Sequence, residues 1–454
     1  MTEKGRRRRR AVVLVGNPAA PYSRALRLAR VLTSEGFETE IAAVSVDRLP
    51  EREQDGDVVL RRYTPSGPLA VFAAAFSGYG PEGQRPRQEA PGLPAAAWRR
   101  ATRRVRRFVG RQRARFGVVV RWLLWPHTVR GWWAALDRDL RPADLYHACG
   151  SLTIAPALHG RRSAERKATR GDRPVVVYDA VDNVFESNNV LAMPSVIRRW
   201  HERREAGWAR DADARMAVNE ALAERLAARW KTDRPLVLPN YPEPWTPPST
   251  RPDLIRRELG LGPTTRIVLF QGRLSPYLGL DEAAAAILHV RSAALVLIGF
   301  GRWLDRCRAR DHDPRYAGRH FTLGPRHPDE LLAWTASADV ALVPLPPVSM
   351  NQRMATPNKF WEALAVGTPV VVGPDLPVMN RLVEELDLGV VAASLEPRAL
   401  ADAIQVVIDR PGPDVEAWRA RIADIARQRF SWPRAAESYR ALVRDLTGTG
   451  PIAQ

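Results

Sequence analysis

A chain of 454 residues exceeds what one hydrophobic core usually serves, and with 45% apolar and 26% charged residues two ordinary domains can pack, which excludes a disordered or collagen-like protein. The net charge of +19 invites a nucleic-acid or membrane reading, yet 65 of the 69 basic residues are Arg, a bias that GC-rich codons produce without selection for a polyanion. Two cysteines, Cys149 and Cys307, cannot build a disulfide framework, so a reducing, cytoplasmic setting is expected.

The N-terminal run Lys4 to Arg10 followed by Ala11 to Val15 has the charged and apolar parts of a signal peptide, but the apolar part is short and ends in Gly16-Asn17-Pro18. A first buried strand entering a turn is expected instead. No run is long enough to span a bilayer. A helix near Tyr22 to Gly36, a strand Glu40 to Val44, a sheet edge around Asp144 to His147, and strands Val175 to Asp179 and Ala214 to Val218 complete one doubly wound unit.

Between these strands lies an irregular insertion, Ser66 to Asp137. From Pro91 to Leu136 it has eleven arginines, five Trp and no acidic residue. Ala96 to Phe116 can be drawn as a helix with Trp98, Ala101, Val105, Phe108 and Val109 on one side and most arginines on the other. Two readings stand: contact with the headgroups of an anionic membrane, and a helix packed on its own domain with a solvated Arg face. Nucleic acid is not expected, since no binding motif accompanies the charge.

After Leu236 to Asn240, the segment Tyr241 to Asp253 holds five prolines and reads as a linker. A second unit follows, with strands Ile267 to Phe270, Ala294 to Ile298, Phe321 to Leu323, Val340 to Val343 and Val370 to Val372, and a final helix Trp432 to Leu446. Two such units place the carboxyl ends of both sheets on a shared cleft, where open α/β sheets bind ligands.

Thr356 to Gly373 is the most informative stretch. Thr356 suits an N-cap and Pro357 the first helical position, while Gly367 and Pro369 end the helix before an apolar strand. Free N–H groups and the Lys359 charge at the helix start favour an anion. Glu362, one turn on, suits hydroxyl donors such as a ribose. An exposed Lys–Glu pair on an amphipathic helix is the alternative.

Taken together, Asn240 after a strand, Gly272-Arg273-Leu274 after the next, Ile298-Gly299-Phe300-Gly301, and Pro357-Asn358-Lys359-Phe360-Trp361-Glu362 before Gly367-Thr368-Pro369-Val370 resemble the family 4 glycosyltransferases of GT-B fold. In the first half, Ala143 to His147, Val177 to Glu186 and Ala217 to Glu220 agree more loosely. The resemblance implies an α/β GT-B architecture: two doubly wound Rossmann-like domains facing a central cleft. Residues 1–240 form the acceptor side with the insertion at about 66–137, 241–253 the linker and 254–431 the nucleotide-sugar domain, with a C-terminal helix 432–447 packing back on the first.

It also implies a retaining hexosyltransferase that takes a nucleotide-diphosphate sugar and a saccharide, lipid-linked or small-molecule acceptor, in bacterial polysaccharide, glycolipid or natural-product biosynthesis. By the same resemblance Arg273, at a helix start after a strand, and Lys359 stabilise the leaving diphosphate, which needs permanent charge and forked donors. His147, following a strand into the cleft, contacts the transferred sugar, or is a satisfied histidine at a strand end. Glu362, Thr356, Asn358, Gly272 and Gly299 hold the donor. Gly16 and Asn17 let backbone approach it. Asp179 and Asp182 lie on the acceptor side.

The sequence departs from the family pattern at Leu278, where a basic residue is frequent, at Met354, where many members have a glutamate, and at Val181, where a histidine is common. No metal and no other cofactor is expected: Asp137-Arg138-Asp139 and Asp211-Ala212-Asp213 read as solvated helix ends, and Arg273, Lys359 and helix dipoles can neutralise the leaving group. A dehydrogenase is excluded by the missing G-x-G-x-x-G fingerprint. The other readings are a catalytically silent GT-B protein that binds a membrane or partner, and a nucleotide-sugar epimerase of the same fold.

Overall fold

The computed structural model describes residues 8–20, 23–45, 49–64, 132–167, 173–190 and 193–448. The chain divides into two compact units, one of Met1–Val181, Asn189–Arg215 and Ala227–Asp233, the other of Asp182–Asn188, Met216–Leu226 and Arg234–Gln454. No helix among the described residues is long and apolar enough to cross a membrane.

The first sheet has eight strands: β1 (Arg10–Val15), β2 (Glu38–Val44), β3 (Arg52–Asp55), β4 (Val58–Tyr63), β5 (Leu145–Cys149), β6 (Val175–Ala180), β7 (Ala214–Ala217) and β8 (Leu236–Val237), in the order β3-β4-β2-β1-β5-β6-β7-β8. The pairs β1–β2, β1–β5, β2–β4, β5–β6 and β7–β8 are parallel and β3–β4 is antiparallel. Continuous apolar runs such as Ala11 to Val15 are buried throughout, as strands covered on both faces require. The β3–β4 hairpin is absent from the sequence expectations. Its first strand is polar and mostly exposed, and the chain turns at Gly56, whose φ is +55°.

The second sheet contains β9 (Arg266–Arg273), β10 (Ala293–Phe300), β11 (His320–Leu323), β12 (Val340–Val343), β13 (Val370–Val372) and β14 (Gly389–Val391), in the order β11-β10-β9-β12-β13-β14, all parallel. The chain winds outward from β9 through β10 to β11, then returns to lay β12 against the other side of β9. That reversal is a topological switch point, where the carboxyl ends of neighbouring strands diverge and leave a crevice. A large apolar cluster runs from Val268 and Phe270 through Phe360 and Trp361 to Trp418 and Phe430, and a smaller one of Ile255, Ile267, Leu269, Val296, Ile298 and Ala338 is also buried in this unit.

The Tyr241 to Asp253 segment has no regular secondary structure. Pro242 O accepts from Trp432 N at 2.9 Å, and the Tyr241 ring packs 4.8 Å from Trp361 and 5.6 Å from Phe430.

Candidate functional site

In the second unit the site is built around the helix Asn358–Ala365. Phe360, Trp361, Ala363 and Leu364 bury one face, which turns Asn358, Lys359 and Glu362 outward. The helix begins one residue later than expected. Pro357, with ψ of 153°, is the cap residue and Asn358 the first helical one, because that ψ is extended rather than helical. Thr356 is therefore not the N-cap: its side chain is buried, with Oγ1 3.4 Å from Asn219 Nδ2. No side chain caps the helix start, so its first amides face outward at the positive end of the helix dipole. Gly367, with φ of +68°, closes the helix as expected.

Lys359 keeps part of its surface exposed, yet its ammonium lies 3.4 Å over the Phe270 ring. Burial pushes its pKa down to about 7, against the opposing pull of Glu362. The Lys359 stem and ammonium pass 3.7 and 3.8 Å from where a Gly272 β-carbon would be. Gly272 has a φ of +110°, which favours glycine, and pairs with Gly299, whose β-carbon would stand 1.8 Å from Gly272 O, so a glycine is needed at 299 for β9 and β10 to run side by side here. Glu362 Oε2 accepts from Gln271 Nε2 at 2.5 Å, and Gln271 Oε1 lies 2.7 Å from the Thr335 hydroxyl. Gln271 was missed in the sequence, where an amide inside an apolar run reads as strand interior.

Arg273 is the last residue of β9 and exposed; the next helix starts only at Leu280, so Arg273 stands at a strand end rather than a helix start. Its charge acts on Asp182, which is exposed and 3.4 Å from Asn351 Nδ2. Asn351 Oδ1 accepts from Asn183 N at 2.7 Å. Leu278 is half buried against the apolar cluster, and Met354 is buried with its carbonyl accepting from Asn219 Nδ2 at 2.8 Å. Neither position carries charge into the site. Arg273, Lys359, Glu362, Asn358, Gly272 and Gly299 thus share the carboxyl ends of β9 and β10 and the helix start nearby.

The first unit places its candidates differently. His147 lies within β5 and is completely buried, not beyond the strand end, with Nε2 3.5 Å from Asp179 Oδ2. Asp179 is equally buried and takes both Nε and a terminal nitrogen of Arg24, at 2.7 and 2.8 Å. Burial alone would raise this carboxyl, but Arg24 and His147 hold it well below the usual range. The expected sugar contact at His147 and acceptor role at Asp179 do not match these enclosed positions. His147, Cys149 and Asp179 bring donor atoms within 4.8 Å of one another, but the Arg24 guanidinium already faces both Asp179 oxygens where a metal would need them. At the β1 exit, a Gly16 β-carbon would meet Leu152 Cβ at 3.0 Å, and Asn17 Oδ1 accepts from Ala19 N at 2.8 Å, so both residues serve the loop's own packing.

Of the Asp-x-Asp pairs, Asp137 sits 3.1 Å from His159, Asp139 pairs with Arg138 at 3.2 Å, and Asp213 bonds Arg173 at 2.6 Å and Val176 N at 2.8 Å. The expected helix Ala96 to Phe116 and Trp98, Trp122 and Trp125 lie outside the described residues. Trp132 and Trp133 are described: Trp132 is buried with Nε1 3.3 Å from Ala43 O, and Trp133 packs edge-on to His159 at 4.3 Å. These two belong to internal packing, not to a lipid-facing surface.

Two α/β units built on largely parallel sheets, each with helices between its strands, define a GT-B fold, the class seen in sucrose-phosphate synthase from Thermosynechococcus elongatus (17% identity, TM-score 0.65, covering 97% of this chain and 100% of that one). The HepE protein of Anabaena, solved in complex with UDP-glucose, is similar at 14% identity and TM-score 0.61, over 96% of this chain and all of its own. Residues 265–410 match the family described as glycosyl transferases group 1. In sequence the chain is similar to the glycogen synthase of Anaeromyxobacter sp. (34% identity over 42% of this chain and 41% of that protein) and to the D-inositol 3-phosphate glycosyltransferase of Corynebacterium glutamicum (31%, over 42% and 46%). The matched region spans less than half the length of either relative.

Proposed function

We propose that this protein is a retaining, metal-independent glycosyltransferase that moves a hexosyl group from a nucleotide-diphosphate sugar to an acceptor in bacterial polysaccharide, glycolipid or natural-product synthesis. The observation that carries the reading is the convergence of Lys359, Arg273 and an uncapped helix start at the switch point of the second sheet. Three sources of positive potential within one crevice suit a diphosphate. Glycosyltransferase relatives support the same class.

In this mechanism the diphosphate lies against the first amides of the Asn358–Ala365 helix, with Lys359 and Arg273 as its cations. Charge grows on the leaving diphosphate as the bond to the anomeric carbon breaks, and donors fixed beforehand stabilise that charge without reorganising. Glu362, oriented by Gln271, accepts the ribose hydroxyls. The acceptor hydroxyl attacks from the face the diphosphate leaves and gives its proton to a diphosphate oxygen, which retains the anomeric configuration. Arg273, Lys359 and the helix amides do the charge neutralisation that a divalent cation performs elsewhere, so turnover is independent of added metal. The protein acts in the cytoplasm, with peripheral contact to anionic lipid through the arginines of the Pro91 to Leu136 segment, whose Trp132 and Trp133 pack internally.

The test is thermal stabilisation by UDP, GDP, ADP, TDP and CDP and their sugar conjugates, with EDTA or magnesium, followed by transfer assays with the responding donor. Stabilisation by one nucleotide family that EDTA leaves intact is expected. A response only with magnesium would overturn metal independence, and binding without transfer to any acceptor would favour the silent-protein reading.

A further inference from the structure

Six large apolar side chains stand well exposed among the described residues, and three of them, Tyr277, Val348 and Met350, lie on the two connections that leave the carboxyl ends of β9 and β12, Met350 opening the short helix Met350–Arg353. These strands are neighbours at the switch point. The loops are tied together: Gln352 Nε2 donates to Tyr277 O at 2.6 Å, and a β-carbon on Gly279 would stand 1.9 Å from Pro344 O. Arg273 is the root of the first loop, and Asn351, next to Met350, reaches Asp182.

The exposure is selective. Leu274 and Leu278, on the same loop as Tyr277, turn into the core, whereas Tyr277 is 51% exposed and holds a φ of +63°, a conformation a residue with a β-carbon adopts reluctantly. Val348 and Met350 are 43% and 36% exposed on the facing loop. Apolar side chains scattered singly over a surface are ordinary; three on two bonded loops beside the cations of a binding site are not.

We propose that Tyr277, Val348 and Met350 form an apolar rim that receives the alkyl or aryl portion of an amphiphilic acceptor. The proposal rests on the glycosyl-transfer reading of this site and deepens it by naming the acceptor's chemistry. A nucleotide sugar is polar along its sugar, diphosphate and ribose, for which Lys359, Arg273 and Glu362 are the matching groups; it brings no aliphatic surface to cover Val348 and Met350. An acceptor hydroxyl carried on a lipid or aromatic scaffold does, and attack beside Arg273 brings that scaffold to the rim.

The experiment titrates the full chain with methyl and octyl glucosides, the latter below its micellar concentration, and separately with the nucleotide diphosphate that stabilises it. Octyl glucoside should bind tighter than methyl glucoside by on the order of tenfold or more, since each buried methylene is worth roughly a fourfold gain. In Tyr277→Ser combined with Met350→Ser, and independently in Val348→Ser, that preference should fall to about threefold or less with nucleotide affinity unchanged. Trp200→Ser, at an exposed apolar residue elsewhere, should change neither. Equal binding of the two glucosides by the native chain, a preference that survives the rim variants, or loss of nucleotide affinity in Tyr277→Ser, the sign that the ring stacks on a base, would each overturn the proposal. Chain-length preference in a protein that binds no nucleotide would leave the rim standing and remove the transferase reading.

Discussion

Lys359 is one of only four lysines in a chain that otherwise uses Arg for its basic positions. An arginine there would stay charged at every working pH, whereas this ammonium, over Phe270, has a pKa pushed down to about 7. Because the charged form is what a diphosphate selects, the complex holds more protons than the free protein above that pH. Donor affinity should therefore weaken as pH rises through about 7, a trend read by calorimetry with an intact nucleotide sugar, whose doubly esterified diphosphate does not itself titrate there; Lys359→Arg should flatten it. The same shift has an opposite consequence for folding. The unfolded chain binds the proton more tightly than the folded one between the depressed and ordinary lysine values, so this residue's contribution to stability rises with pH over that window. Arg273→Ala should lower kcat by roughly a hundredfold, in line with the loss of one preorganised charge donor, while Glu362→Ala should chiefly raise the donor KM. Wild-type values in both would refute the assignment of these roles.

At the scale of elements, the apolar strands were legible because burial on both faces leaves continuous runs such as Val340 to Val343. What stayed illegible was short or polar. β14 has only three residues, and β3 carries Arg, Glu, Gln and Asp on an edge where Glu53 pairs with Arg62 and Asp55 with Arg30. The helix that carries Lys359 and Glu362 could be read from its apolar spacing and its Gly367 stop, but the displacement of its cap from Thr356 to Pro357 depends on a backbone torsion that residue types do not specify. His147 was misplaced for a related reason: a histidine between apolar residues at a strand's end reads as leading outward, and only the register of β5 on β1 and β6 shows it enclosed. The Arg24–Asp179 pair links the Ser23–Ser34 helix to β6. Arg24→Ala would leave the buried Asp179 carboxylate with His147 in place of its guanidinium partner, at a cost of about 3–5 kcal/mol, so chemical denaturation should show a markedly weakened first unit with nucleotide affinity unaffected.

For the whole molecule, two units with separate cores should not melt as one two-state system. Since Lys359, Glu362 and Arg273 all belong to the second unit, a nucleotide diphosphate should raise that unit's calorimetric transition and leave the other in place. At a hundredfold excess over Kd the gain is about 2.7 kcal/mol, enough to separate overlapping transitions by several degrees. Lys359→Met should abolish the separation. A shift of both transitions together would show that the donor engages residues of both units.

The Thr335–Gln271–Glu362 line has a direction: hydroxyl to amide oxygen, amide nitrogen to carboxylate. That direction makes Glu362 the acceptor of the Gln271 amide proton. Replacing one atom would reverse this. Gln271→Glu sets two carboxyl groups at hydrogen-bond distance, and such a pair shares a single proton, so the second charge appears only when the medium is alkaline enough to force it. A carboxylate that accepts an amide proton would become one that shares an acidic proton, with the amide nitrogen of Gln271 as the whole of the difference.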